Sequence, residues 1–282
     1  MAFLHERLAD ARHVFERAGI AADEAAIDAE VLARHALGWD RGTLITHGHE
    51  HPPPGFEPSF DALVERRRQR EPVAQIVGHR EFWGLEFEVT RDVLVPRPET
   101  ELVVEAAIEL AGAGTIRRIF DVGTGSGCIA VALAVALPDV SLIATDVSAA
   151  ALAVAERNAL GHGVADRIAF VHSDLLEDVP GTADLIVSNP PYVPTSALTA
   201  LPPEVARYEP HQALFAGADG LGAIRRLFGA AGAQLAPAGH LVVEFGFGQA
   251  SKVTALAAET GWRVVAVRQD LQRIPRVIVL GR

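Results

Sequence analysis

One cysteine, Cys128, in 282 residues leaves no way to build a disulfide framework within the chain, and a reducing cytoplasm is its expected setting. No run of about 18 apolar residues occurs, and residues 1–10 alternate charged with apolar types, so neither a membrane span nor a signal peptide is expected. Positive charge is in deficit, with 25 Lys+Arg against 36 Asp+Glu and a net charge of −11. Sequence-independent grip on DNA depends on neutralising phosphates, so this balance counts against a dedicated DNA binder. Arg66-Arg67-Arg68 with Arg70 reads as the solvated face of a helix. Internal repeats and long low-complexity segments are also missing. What remains, 49% hydrophobic and 22% charged, is ordinary for a globular protein with one large domain or a core domain plus a smaller one.

Residues 1–75 read as a small helical domain. Leu4, Leu8, Ala11 and Phe15 fall at helical spacing, with Gly19 as a stop. Ile27, Val31, Leu32 and His35 suggest a second helix ending near Gly38, and Phe60, Leu63, Val64 and Arg67 a third. His51-Pro52-Pro53-Pro54-Gly55 lies between as a loop. Over 76–98, Arg80–Trp83 and Leu85–Val89 flank Gly84 and read as a β-hairpin connector. Thr100 or Glu99 is placed to cap the helix that follows.

From 99 to 282 strand and helix largely alternate. The expected strands are 118–122, 141–145, 168–172, 183–188, 240–245, 263–267 and 276–280; helices fall at 128–137, 149–160, 219–235 and 249–259. This predicts an α/β doubly wound sheet with helices on both faces. The link from Arg268 to Pro275 is too short for a parallel crossover, so the last of seven strands should run antiparallel.

Asp121-Val122-Gly123-Thr124-Gly125-Ser126-Gly127 joins the first of these strands to a helix. It lacks the spacing of a dinucleotide fingerprint, and no Gly-Lys-Ser/Thr follows to make a phosphate loop. Asp146 ends the next strand, where a carboxylate can accept from both hydroxyls of a ribose. Asp174 ends the third beside Leu175, a pair suited to an adenine's amino group and ring face. Each acid alone could be a helix or turn cap. Together they favour a nucleoside with no pyrophosphate, and S-adenosylmethionine fits better than NAD.

Asn189-Pro190-Pro191-Tyr192 follows the fourth strand at its carboxyl end, where open α/β sheets bind ligands. The prolines forbid both a continued ladder and an immediate helix. The Asn189 side-chain oxygen and the Pro190 carbonyl make an acceptor-rich pocket for a planar –NH2 group, and Tyr192 can stack on that group. Methyl transfer from a sulfonium needs the nucleophile held about 3 Å from the methyl with water excluded. An amide nitrogen is a poor nucleophile, and accepting hydrogen bonds from both its N–H groups helps it toward a tetrahedral state. No strong base is required.

These two motifs resemble class I methyltransferases acting on planar amino groups, whether adenine-N6 enzymes of DNA and RNA or glutamine-N5 enzymes of proteins. Pro72–Gly78, Arg80-Glu81-Phe82-Trp83-Gly84 and Pro96-Arg97-Pro98-Glu99-Thr100-Glu101 are similar to the peptide chain release factor glutamine methyltransferases, the PrmC/HemK family. Glu209-Pro210, Ala213-Leu214-Phe215, Asp219-Gly220 and Ile274-Pro275-Arg276 extend the likeness, which runs from about residue 70 to the end and more loosely before it. The resemblance implies a Rossmann-like S-adenosylmethionine-dependent enzyme that methylates N5 of the glutamine in the Gly-Gly-Gln loop of bacterial class 1 release factors. It implies that Gly123 to Gly127, Asp146, Asp174, Leu175 and Asn189 hold the methyl donor. Asn189, Pro190, Pro191 and Tyr192 would then receive the glutamine, with Pro96, Arg97, Pro98 and Glu99 near the same pocket. The helical domain would help grip the release factor. Many relatives have an aromatic residue where Leu175 stands, so an aliphatic contact replaces stacking there.

Three rivals remain in view: a ribosomal-protein glutamine methyltransferase, an adenine-N6 nucleic-acid methyltransferase, and a non-catalytic nucleoside-binding module. Cys128 reads as a small buried helix residue, since no Pro-Cys motif accompanies it. His47, His49 and His51 are not expected to bind metal. His172, Trp83 and Trp262 read as packing residues. Glu244 is either structural or borders the pocket.

Overall fold

Apolar residues at helical spacing organise the N-terminal part of the chain. The computed structural model describes residues 2–112, 114 and 116–282, which fall into two compact units. The first runs to Gly78 and also takes in Pro202–Tyr208. It begins with α1 (Leu4–Arg17), α2 (Ala22–Leu37), α3 (Arg41–Thr46), α4 (Phe56–Arg68) and α5 (Val73–Val77). Phe15 of α1, Leu32 of α2 and Phe60 of α4 are fully buried in one apolar core. Gly38 closes α2 at φ 65°, a left-handed cap that the missing Cβ permits.

Two expectations are corrected here. The buried face of α2 is Ala25, Asp28, Ala29, Leu32 and Ala33, while Ile27 is exposed. And Arg67 is not solvated: it is 1% exposed. Its guanidinium donates to Asp28 at 2.7 Å, Glu24 at 2.8 Å and Glu204 at 2.9 Å. A buried guanidinium needs such partners, which is why α2 turns a carboxylate inward. The rest of the basic stretch is also paired, Arg66 with Glu71, Arg68 with Glu65 and Arg70 with Glu204.

The second unit starts with the antiparallel hairpin β1 (His79–Phe82) and β2 (Leu85–Glu88). Its turn residues Trp83 and Gly84 sit at φ 55° and 70°, the mirror-image geometry that matches strand twist. Then come α6 (Glu101–Ala111), β3 (Arg118–Val122), α7 (Cys128–Ala136), β4 (Ser141–Asp146), α8 (Ala149–Gly161), β5 (Ile168–His172) and β6 (Ala183–Ser188). After β6 the chain makes a 3-10 turn (Thr195–Ala200), gives α9 (Pro203–Tyr208) to the first unit, and returns as α10 (His211–Leu214). It ends with α11 (Gly222–Ala231), β7 (Leu235–Glu244), α12 (Ala250–Glu259), β8 (Arg263–Gln269) and β9 (Pro275–Gly281).

The seven-stranded sheet has the order β5-β4-β3-β6-β7-β9-β8. β3 lies parallel to β4 and β6, and β9 runs antiparallel to β7 and β8, as the short link before it predicts. Successive strand residues alternate between two apolar layers. Ile119, Leu185, Val187 and Val242 face one with α6 and α7; Phe120, Ile186, Leu241 and Val243 face the other with α11 and α12. His172, expected to pack, is instead exposed and bonds the Val147 carbonyl at 2.9 Å. Among the described residues no helix is long and apolar enough to cross a membrane.

Candidate active site

Strand order reverses at β3, whose neighbours β4 and β6 lead outward in opposite directions. Crevices form at such switch points beyond the strand carboxyl ends. A cavity of about 410 Å³ lies there, lined by the loops after β3, β4, β5 and β6, within the range of small-molecule sites.

The glycine loop forms its floor. Gly123 and Gly125 adopt φ of 73° and 54°, and a Cβ on either would meet nothing within 4 Å; their conformation, not crowding, demands glycine. The amides of Gly123 and Thr124 both donate to the Thr145 carbonyl, and the Thr124 hydroxyl donates to Asp121 at 2.6 Å. Burial pushes the Asp121 carboxyl up to about 7. Gly127 differs: it caps α7 at φ 80°, and a Cβ there would lie 2.9 Å from Ala155 Cβ and 3.1 Å from its Cα. Its place is in helix packing, outside the cavity lining. Gly127→Ala is therefore expected to destabilise the second unit by about 1–3 kcal/mol, read as a lower melting temperature; an unchanged melting temperature would contradict this packing role.

Asp146 ends β4. Its two oxygens accept from the amides of Gly125 and Ser148, each at 2.9 Å, and each oxygen keeps a second lone pair for a ligand. Burial raises its pKa against these bonds. Leu175 also lines the cavity, at the unusual φ of 56° for a side-chain-bearing residue; the Thr145 hydroxyl holds its carbonyl at 3.0 Å. Asp174 is met by Arg226 of α11 at 2.8 Å. Arg97 likewise donates to both oxygens of Glu209 at 2.6 Å. The two cationic side chains on the lining, Arg97 and Arg226, are thus already paired with carboxylates. That donor set fits a nucleoside without a pyrophosphate.

Asn189 and Pro191 line the cavity, with Pro96 and Arg97; Pro190 is buried behind them, and Tyr192, Pro98 and Glu99 lie off the lining. Asn189 Nδ2 donates to the Thr100 hydroxyl oxygen at 2.9 Å, so Oδ1 is left as an acceptor. Thr100 makes no side-chain cap for α6; its hydroxyl is turned to Asn189 instead. Tyr192 is gripped at both ends, its hydroxyl donating to Glu244 at 3.3 Å and its carbonyl accepting from Gln249 at 3.0 Å. Burial, with the Glu244 carboxylate beside it, pushes the Tyr192 phenol well above its ordinary range, so the phenol stays a donor. Gly246 leaves room for this ring, since a Cβ there would sit 2.9 Å from Tyr192 Cδ2. Cys128 is a buried helix residue whose thiol burial pushes up to about 12.

Arg226, Gln249 and the stretch Asp92–Leu94 also belong to this neighbourhood but carry no motif of their own. Only the chain fold brings them in. Glu209-Pro210, noticed for its resemblance, acquires a physical role in holding Arg97.

Residues 6–78 match the family model of the PrmC N-terminal domain, and residues 100–201 that of the methyltransferase small domain. The release factor glutamine methyltransferase of Cereibacter sphaeroides is 46% identical over 256 residues, 91% of each chain. That of Nitratidesulfovibrio vulgaris is 40% identical, covering 100% of this chain and 96% of its own. Among solved structures, ribosomal protein L11 methylase from Lactobacillus delbrueckii subsp. bulgaricus has a TM-score of 0.51 at 22% identity, over 69% of this chain and 83% of that one. A T. thermophilus 16S rRNA N2 methyltransferase in complex with AdoMet and guanosine also gives 0.51, at 18% identity, over 72% of this chain and 49% of that one. These two share the fold. With more than 40% of residues shared over nine-tenths of its length, the chain belongs to the release factor glutamine methyltransferase family.

Proposed function

We propose that the chain methylates the side-chain amide nitrogen of the glutamine in the Gly-Gly-Gln loop of class 1 release factors, in the cytoplasm, with S-adenosylmethionine as donor. The observation that carries this reading is the Asn189 amide. Its nitrogen is engaged by Thr100, which leaves the Oδ1 of this cavity-lining residue to accept from a substrate –NH2. The Pro190 carbonyl, on a residue with no N–H of its own, is the second acceptor.

S-adenosylmethionine, when bound, supplies an electrophilic methyl group on a sulfonium. Gly123 to Ser126 would bring backbone against it, Asp146 would accept from its ribose hydroxyls, and Leu175 with Asp174 would border its adenine. Gly127 supports these from behind by letting α7 and α8 approach. Asn189 and Pro190 orient the glutamine nitrogen, and Tyr192, held by Glu244 and Gln249, steadies the turn that carries them. Arg97, Pro96, Pro98 and Glu99 shape the entrance on the glutamine side, and the helical unit would contact the release factor.

Incubation with methyl-labelled S-adenosylmethionine and purified release factor, ribosomal protein or DNA tests the choice of substrate. Label is expected in the release factor. Label in ribosomal protein or DNA adenine, with none in the release factor, would refute it.

A further inference from the structure

We infer that Arg97 is a specificity-determining residue for this reaction: with its charge neutralised by the buried Glu209, its guanidinium offers its remaining N–H donors to main-chain carbonyl oxygens of the peptide that carries the acceptor glutamine. The inference rests on the reading that the acceptor is a glutamine within a polypeptide loop.

Arg97 stands between Pro96 and Pro98, and its backbone is extended, at φ −102° and ψ 143°, the region to which a following proline restricts it. It opens the 3-10 turn Pro98–Thr100, and its carbonyl accepts from the Thr100 amide at 3.1 Å. Thr100 in turn holds Asn189 Nδ2 at 2.9 Å. Arg97 and Asn189 thus line one cavity with Thr100 as the link between them. The guanidinium is fixed by Glu209, whose side chain is 1% exposed against 32% for Arg97. Both carboxylate oxygens meet a single nitrogen, Nη2, at 2.6 Å. A guanidinium carries five N–H donors in a rigid plane. Nε and Nη1 hold the other three, and neither makes a hydrogen bond among the described residues.

This pairing selects the kind of atom that Arg97 takes. A guanidinium beside a carboxylate has no net charge to offer, so an anionic phosphate gains little there. Its N–H groups remain directional donors for a neutral oxygen. A peptide bearing glutamine presents such oxygens on its main chain and on the reacting side-chain amide. A donor on the side-chain oxygen would draw the nitrogen lone pair further into the amide and slow its attack on the methyl group. Main-chain carbonyls carry no such penalty, and beside glycine no Cβ covers them. Hydrogen bonds to them hold the peptide in register, so that the side-chain amide meets Asn189 and Pro190. Adenine, the rival planar amine, has no carbonyl oxygen, and its phosphates would meet a cation already neutralised.

The test measures kcat, KM for the release factor, affinity for the methyl donor and melting temperature in three variants: Arg97→Lys, Glu209→Gln, and the double Arg97→Met with Glu209→Gln. The double variant leaves no buried charge unpaired. Its KM is expected to rise about tenfold to a hundredfold, the range for losing a hydrogen bond to a charged group. Its kcat should change much less, because contacts made equally in ground and transition states act on KM, and donor affinity should match the parent. Arg97→Lys keeps a cation for Glu209 and should keep the melting temperature, yet its KM should stay raised, since a point charge lacks the planar fork. Glu209→Gln returns net charge to Arg97, and inorganic phosphate should then compete with the release factor at concentrations that the parent withstands. Parent KM in the double variant, a loss confined to kcat, or parent resistance to phosphate in a folded Glu209→Gln would overturn the inference and leave the substrate reading standing. Failure of the parent enzyme to methylate the release factor would remove that reading and the inference together.

Discussion

Replacing Asn189 with alanine is expected to lower methyl transfer about 10²–10³-fold, the range for removing one preorganised polar group from a reacting centre, while the methyl donor still binds. The asymmetry follows from the geometry. Donor binding is assigned to many groups, chiefly the glycine-loop backbone and Asp146, and Asn189 is one contact among them. The glutamine nitrogen depends on two acceptors, and alanine deletes one. It also strands the buried Thr100 hydroxyl oxygen, whose partner is the Asn189 amide, so a small stability cost of about 1 kcal/mol should accompany the loss of rate. Calorimetric titration of the donor beside steady-state turnover separates the effects. Equal loss of binding and transfer would mean that Asn189 serves the donor first.

Arg67→Met should destabilise the helical unit by about 3–5 kcal/mol, the cost of breaking a buried ion pair from one side. Asp28, with its side chain 9% exposed, would keep its burial and lose its guanidinium. Burial already raises the Asp28 pKa in spite of that partner. Glu204 retains Arg70 at 2.6 Å, so the penalty falls mainly on Asp28. For a unit of this size the unfolding temperature should drop by more than about 10 °C, visible by scanning calorimetry as early melting. A change equivalent to less than about 1 kcal/mol is what a solvated arginine would give, and would contradict the buried network.

The contrast between these two residues shows what a linear sequence discloses. The position of Asn189 was legible because its neighbours constrain it: an apolar strand, two prolines and a tyrosine place it at a strand's carboxyl end whatever the rest of the chain does. The seven strands and the reversed last one were legible for a similar reason, since strand alternation and loop length are local quantities. Arg67 was not, because its partners Asp28 and Glu204 lie 39 and 137 residues away. Nothing local distinguishes a buried arginine from the exposed Arg68 beside it. Thr100 resembled a helix cap, a local role, yet its hydroxyl serves Asn189, 89 residues further on. The phase of α2 was misread because its buried face is mostly alanine, which carries little hydrophobic signal, while Ile27 on the outer face carries much. The short α3, α5 and α10 offer too few turns for a period to show.

The destination of the methyl group separates a glutamine methyltransferase of release factors from its rivals. Tandem mass spectrometry of the release factor after incubation with enzyme and S-adenosylmethionine should find one methyl group on the side-chain amide of the Gly-Gly-Gln glutamine. The same peptide should remain unmodified when Asn189→Ala replaces the parent enzyme. A methyl group on another residue of the release factor, or an unmodified Gly-Gly-Gln peptide with fully active enzyme, would contradict it.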